Sequence, residues 1–253
     1  MGQSPRSLHT MSDDTLPRSS ATPPAMAAQA ERLDEACAER ASQWMSAAVD
    51  GCSFDTHLFA KLIAAREVRG EWVLLGLSQT QWDGLVSRHF AGALALPALP
   101  GSFALLGTAG LRGPADSAAA AAAATATAAA AAAATMTLNK QEHVEFVSAL
   151  RALLLQCVNP AVPLEDADCL ASIIAHACLR PDHLWRDLGL AGRDEVSAML
   201  ERYFPSLVVL NVENLRWKKF LARQLALSLG KEPGPAPGCP GCQDYGYCFP
   251  PVA

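Results

Sequence analysis

Three cysteines near the C-terminus carry the clearest chemical pattern in the chain: Cys239, Cys242 and Cys248, spaced C-x2-C-x5-C. Thiols two residues apart can turn toward one centre, and the intervening Pro240 and Gly241 permit a tight backbone whose amide groups face the sulfurs. Cys248 closes the loop, and Tyr245, Tyr247 and Phe249 stand in sequence where they would shield a bound group from water. An iron–sulfur cluster and a zinc ion both suit such thiols. A closed structural zinc site needs four protein ligands, so His183 or a cysteine from the helices would have to join the three. A cluster on three thiolates leaves one corner for a non-protein ligand or a second metal.

The compartment bears on that choice. The N-terminal stretch is polar and rich in Ser and Pro, without the apolar core of an export signal, so the expectation is the cytoplasm. There clustered cysteines act as metal ligands more often than as disulfide partners. The other five, Cys37, Cys52, Cys157, Cys169 and Cys178, are scattered and read as small buried hydrophobes, with Cys157 or Cys178 available as a fourth ligand.

Before the tail, Arg216, Lys218, Lys219 and Arg223 alternate with Leu215, Trp217, Phe220, Leu221 and Leu225. This basic stretch suits an oxyanion such as molybdate, or an acidic partner, through charge-assisted hydrogen bonds. A solvated helix face is the plain alternative. The formal charge of -5 argues against a general nucleic-acid binder. No hydrolase elbow, phosphate loop or dinucleotide fingerprint occurs, so no ordinary enzyme is expected. The uncharged stretches 90–111 and 117–139 do not read as membrane spans. The first is broken by Pro97, Pro100, Gly101 and Gly107, and the second is mostly Ala and Thr.

The elements that must position these groups read as helices throughout, with no sustained strand alternation. The expectation is an all-α helical bundle with an irregular Cys-rich C-terminal tail. Residues 1–28 read as a disordered tail, 29–112 as an N-terminal helical region, 113–137 as an Ala-rich low-complexity linker, 138–230 as a C-terminal helical region and 231–253 as the cluster-binding tail. Helices are expected over 31–49, 54–66 and 78–89, the last capped by Ser78. Further helices are expected from an Asn139 cap to Cys157, after Pro163, from Pro181 to a stop at Gly189, and over 193–203. The last runs over 212–229 between an Asn211 cap and Gly230.

The segments His183-Leu184-Trp185-Arg186-Asp187-Leu188-Gly189-Leu190, Tyr203-Phe204-Pro205 and Arg216-Trp217-Lys218-Lys219-Phe220, followed by the cysteine tail, closely resemble the NifQ family of nitrogen-fixation proteins. The similarity covers residues 139–250, and 54–92 more loosely. It implies an iron–sulfur carrier of molybdenum for biosynthesis of the nitrogenase iron–molybdenum cofactor. The cluster, of 4Fe–4S or 3Fe–4S type, would be linked to Cys239, Cys242 and Cys248, and the partners would be the cofactor scaffold NifEN and the iron protein NifH. The chain departs from the family pattern C-x4-C-x2-C-x5-C, because Gly234 stands where the first cysteine would be. A zinc-stabilised helical interaction module is the alternative reading.

Overall fold

The computed structural model describes residues 24–91 and 140–251. Residues 1–23 of the expected N-terminal tail, the Ala-rich tract, most of the stretch 90–111 and the expected cap Asn139 lie outside the described residues, whereas residues 24–28 of that tail belong to the first helix, which starts earlier than expected. Ten α-helices and two short 3-10 turns are described, with no strand among those residues, so the all-α expectation holds.

Two helices occupy the centre. α2 (Phe54–Val68) and α5 (Leu164–Ala177) bury side chains almost all the way round, among them Leu58, Phe59, Leu62 and Ile63 on one and Leu170, Ile173 and Ile174 on the other. A helix that is apolar all round belongs in a core. α1 (Pro24–Ser46) lies along α2, and α4 (Gln141–Leu155) lies along α5. α3 (Gln79–His89) packs on α5 and begins with a full capping box: Ser78 Oγ accepts from Gln81 N–H, and the Gln81 side chain accepts from Ser78 N–H. Trp44, Phe90 and Leu85 from the N-terminal half share one hydrophobic cluster with Leu150, Tyr203, Phe220 and Cys239. Each fully buried large apolar side chain contributes about 1.5–3 kcal/mol.

α6 (Leu184–Leu188) is a single turn that ends at Gly189. Gly189 adopts φ +71°, and a Cβ there would stand 2.2 Å from Ala65 Cβ, so glycine alone lets α6 both stop and press against α2. α7 (Arg193–Tyr203) and the short α8 (Pro205–Val208) follow. α9 runs over Trp217–Ser228, five residues shorter at its start than expected. Asn211 does not cap it. Its side-chain oxygen accepts from Leu215 N–H (2.8 Å) and its amide donates to the Leu215 carbonyl (3.0 Å), which ties residues 211–215 into a closed loop.

Charged groups also cross the interior. Arg40 and Trp44 donate to the buried Glu67 carboxylate at 2.6 and 2.9 Å. A second chain of alternating charge runs Arg66, Glu71, Arg180, Asp187, Lys218, joining α2 to α9. Burial lowers the Arg66 guanidinium to about 10, with Glu71 and Asp187 acting the other way. The tail is not wholly irregular: a 3-10 turn at Cys239–Gly241 and α10 (Tyr245–Cys248) fold its end back onto the bundle.

Candidate metal centre

The tail reaches the bundle through backbone contact. Gly238 N–H donates to the Cys178 carbonyl at 3.0 Å, and Ala236 is fully buried. Successive turn bonds, Cys242 N–H to the Cys239 carbonyl (2.9 Å) and Tyr245 N–H to the Cys242 carbonyl (3.0 Å), wind the chain toward α10. Cys248 N–H donates to the Asp244 carbonyl at 3.1 Å. Lys219 of α9 donates to the Cys248 carbonyl, and its ammonium stands 4.9 Å over the Phe249 ring.

The result is a cavity of about 640 Å³ walled by Cys239, Cys242 and Cys248, by the α6 stretch from Asp182 to Arg186, and by the start of α9 from Leu215 to Lys219. The size lies within the range of small-ligand and cofactor sites. Burial raises the Cys239 thiol above its ordinary value. A backbone hydrogen bond at Ala236 and the Lys218 ammonium oppose the rise, while Cys242 and Cys248 add to it. Cys239 therefore feels the charge of both other tail thiols, and Cys178 feels that of Cys239; a bound metal cation would offset such repulsion. Among the described residues no three His, Cys, Asp or Glu side chains gather at the spacing of a single metal ion.

The basic residues divide. Arg216, Lys218 and Lys219 line the cavity, whereas Arg223 is outside it and pairs with Glu213. Lys218 is not part of a solvated face. It is buried, donates to the Arg180 carbonyl at 2.8 Å and pairs with Asp187, which is buried too. Its body packs where an apolar residue would be expected, and its ammonium ends the charge chain from α2.

Neither proposed fourth thiol joins the wall. Cys157 is remote, beside Ser206, and Cys178 lies behind Cys239 with its thiol pushed up to about 12 by burial. Gly234 is half-buried, and a Cβ added there would meet nothing within 4 Å. His183 does line the cavity, stacked on Trp185 at 6.4 Å, with Nε2 3.0 Å from the Asp244 carboxylate. Tyr245 and Phe249 pack together at 5.2 Å, whereas Tyr247 is 79% exposed and covers the cavity only at its rim, its ring 5.1 Å from the Arg216 guanidinium.

Arg186, Arg193 and Asp244 escaped the sequence reading. Asp244 sits between two of the cysteines, which was a signal. Arg186 and Arg193 gave none, since they come from α6 and α7.

Together these features define an all-helical protein with a thiol-bearing, cation-walled cavity formed where its C-terminal tail folds back on the bundle. The chain belongs to the NifQ family, whose model matches residues 94–250. It is 46% identical to Protein NifQ of Azotobacter vinelandii over 80 residues, 32% of this chain and 41% of that protein. Against Protein NifQ of Klebsiella pneumoniae it is 44% identical over 86 residues, 34% and 52% of the two chains. Against that of Rhodobacter capsulatus it is 36% identical over 103 residues, 41% and 56%. The matches thus span about half the length of these relatives. No solved structure matches. No helix among the described residues is long and apolar enough to cross a membrane.

Proposed function

We propose that this chain acts in nitrogen fixation as an iron–sulfur carrier that receives molybdenum and donates it for assembly of the iron–molybdenum cofactor of nitrogenase. It works in the cytoplasm and is not an enzyme. The observation that carries this reading is that Cys239, Cys242 and Cys248 line the same cavity as Arg186, Arg193, Arg216, Lys218 and Lys219.

In this reading the thiolates of Cys239, Cys242 and Cys248 would hold the cluster, which would supply a metal–sulfide surface for molybdenum. The cations offset the negative charge of thiolates and sulfide, much as buried donors tune other cluster sites. Three ligands suffice, because an open corner is compatible with taking up and releasing a metal. Delivery is to the scaffold NifEN together with the iron protein NifH.

Anaerobic purification followed by metal analysis and electron paramagnetic resonance tests the reading. Iron, sulfide and molybdenum are expected in the native chain and are lost in Cys239→Ala. Stoichiometric zinc in a colourless protein would instead favour the interaction module, and mixing the loaded chain with NifEN and NifH should transfer molybdenum. Loss of the cluster on replacing Cys157 or Cys178 by Ser would contradict the three-thiolate assignment.

A further inference from the structure

The cavity carries more positive charge than its thiols and their neighbours account for. Of its five cationic side chains, Lys218 is fully committed to Asp187. Arg186 faces Asp182 at 3.6 Å with both side chains well exposed. Arg193 and Lys219 have no carboxylate partner in the cavity. Arg193 donates to the Asn214 carbonyl (3.1 Å), the Asn214 side-chain oxygen (2.6 Å) and the Leu215 carbonyl (2.8 Å), and it lies 5.8 Å over the Trp217 ring. Lys219 is held by the Cys248 carbonyl. Neutral oxygens and ring faces orient a cation without cancelling its charge. In a chain of net charge -5 this is a local surplus of the opposite sign.

Carboxylates stand against part of it: Asp182 and Glu213 line the cavity, the first beside Arg186 and the second paired with Arg223 outside it, and Asp244 pairs with Arg216. Asp244 Oδ2 accepts from Arg216 Nη1 at 2.6 Å and lies 3.0 Å from His183 Nε2, while Arg216 Nη1 is 3.2 Å from the His183 ring. Arg216 and Asp244 are each about one-third exposed. A single carboxylate oxygen thus sits between a guanidinium and an imidazole that both line the cavity.

We propose that Arg216 and His183, with Arg193 and Lys219 nearby, form a binding site for a tetrahedral oxyanion, and that Asp244 is its intramolecular competitor. A tetrahedral dianion presents several oxygens to such donors and matches the planar fork of arginine better than one carboxylate oxygen does. Asp244 lies in the loop between Cys242 and Cys248. Its release from Arg216 therefore alters the thiol loop itself, and anion binding is coupled to the metal ligands through one residue. The identification of the biological anion as molybdate rests on the function proposed above; the site itself does not.

The test is calorimetric titration of the metal-free full chain with sodium tungstate, which resists reduction, and in parallel with sodium sulfate, at fixed ionic strength. Asp244→Asn keeps the shape and removes the competing charge, and it should tighten tungstate binding about two- to fivefold, the size expected of a half-exposed ion pair. Arg216→Gln should weaken it by about tenfold or more. Arg216→Lys, which retains charge, should recover part of the loss. Glu201→Gln removes an exposed charge of α7 outside the cavity and should change little. Tighter binding of tungstate than sulfate assigns the site to the larger anion. Absence of binding by both the native chain and Asp244→Asn, or equal tightening by Glu201→Gln, overturns the proposal. A chain that binds tungstate but assembles no cluster would sink the carrier function and leave this site standing. A chain that assembles the cluster but ignores both anions would do the reverse.

Discussion

Gly238 lies so close to Arg180 that a Cβ on it would stand 1.9 Å from the Arg180 carbonyl oxygen and 2.7 Å from its amide nitrogen. The obstructing atoms are all backbone, so no side chain can rotate away. The glycine is needed for this close approach, since its φ of -80° is open to any residue. Gly238→Ala should therefore lift the tail from the bundle. Overpacking of this kind costs about 1–3 kcal/mol, and the larger effect should fall on Cys239, the next residue. Melting temperature and iron per chain measure the two effects, and unchanged iron content would show that the tail docks without this contact.

The two adjacent lysines of α9 should behave very differently. Lys218→Met leaves the buried Asp187 with Arg180 alone and should destabilise the fold by about 3 kcal/mol. Lys219→Gln removes a half-buried donor to the Cys248 carbonyl and should cost about 1 kcal/mol or less while loosening the end of the thiol loop. Urea midpoints separate the two; equal losses would mean that the interior charge chain is not what holds Lys218. For the same reason, reversing charge at Lys218 tests folding, and of the basic residues from 216 to 223 it is Arg216 and Lys219 that report on the cavity.

Acid should weaken the contact between α2 and α7. Burial alone would raise the Asp55 carboxyl, but the hydrogen bonds and the charge of Arg202 hold it below the usual carboxylate range. Its contribution is therefore complete above the unfolded value, near pH ~4, and is lost as pH falls through the lower folded value. Burial would raise the Glu195 carboxyl too, but the bonds from Lys61 and from Ala191 N–H, with the charge of Lys61, hold it below the usual range, and it acts in the same direction. Urea midpoints followed from pH ~5 down to pH ~2 should fall, and Asp55→Asn should start lower and fall less. Parallel curves for the two proteins would remove Asp55 from the account.

Thiol reactivity should sort the cysteines by burial. Cys169 and Cys178 are pushed up to about 11 and about 12 by desolvation, so at pH ~8 almost no thiolate is present at either. Cys52 is exposed. Alkylation of the folded, metal-free chain read by mass spectrometry should label Cys52 well before Cys169 and Cys178. Early labelling of Cys178 would mean that the tail opens readily over it.

Much of the architecture follows from residue order alone. Ser78 with Gln81 starts α3, Pro163 precedes α5, Gly189 ends α6, and α7 spans the residues expected of it. These are local events, decided by capping bonds and by one glycine with positive φ, so a short window of sequence contains their cause. The start of α9 was misread because Asn211 bonds to Leu215 in a closed loop, an option equally local but in competition with capping.

The sequence by itself determined that the chain is helical, that its three clustered thiols lie in one short loop, and that it resembles NifQ. Only the tertiary structure decided which charges meet those thiols. Lys218 turned inward to Asp187, Arg223 fell outside, and Arg186, Arg193 and Asp244 came in from three separate segments. Helical periodicity places a residue on a face, but whether that face meets solvent, a carboxylate or a cavity depends on which helix packs across it. Those partners lie tens of residues away in the chain, beyond the reach of any local pattern.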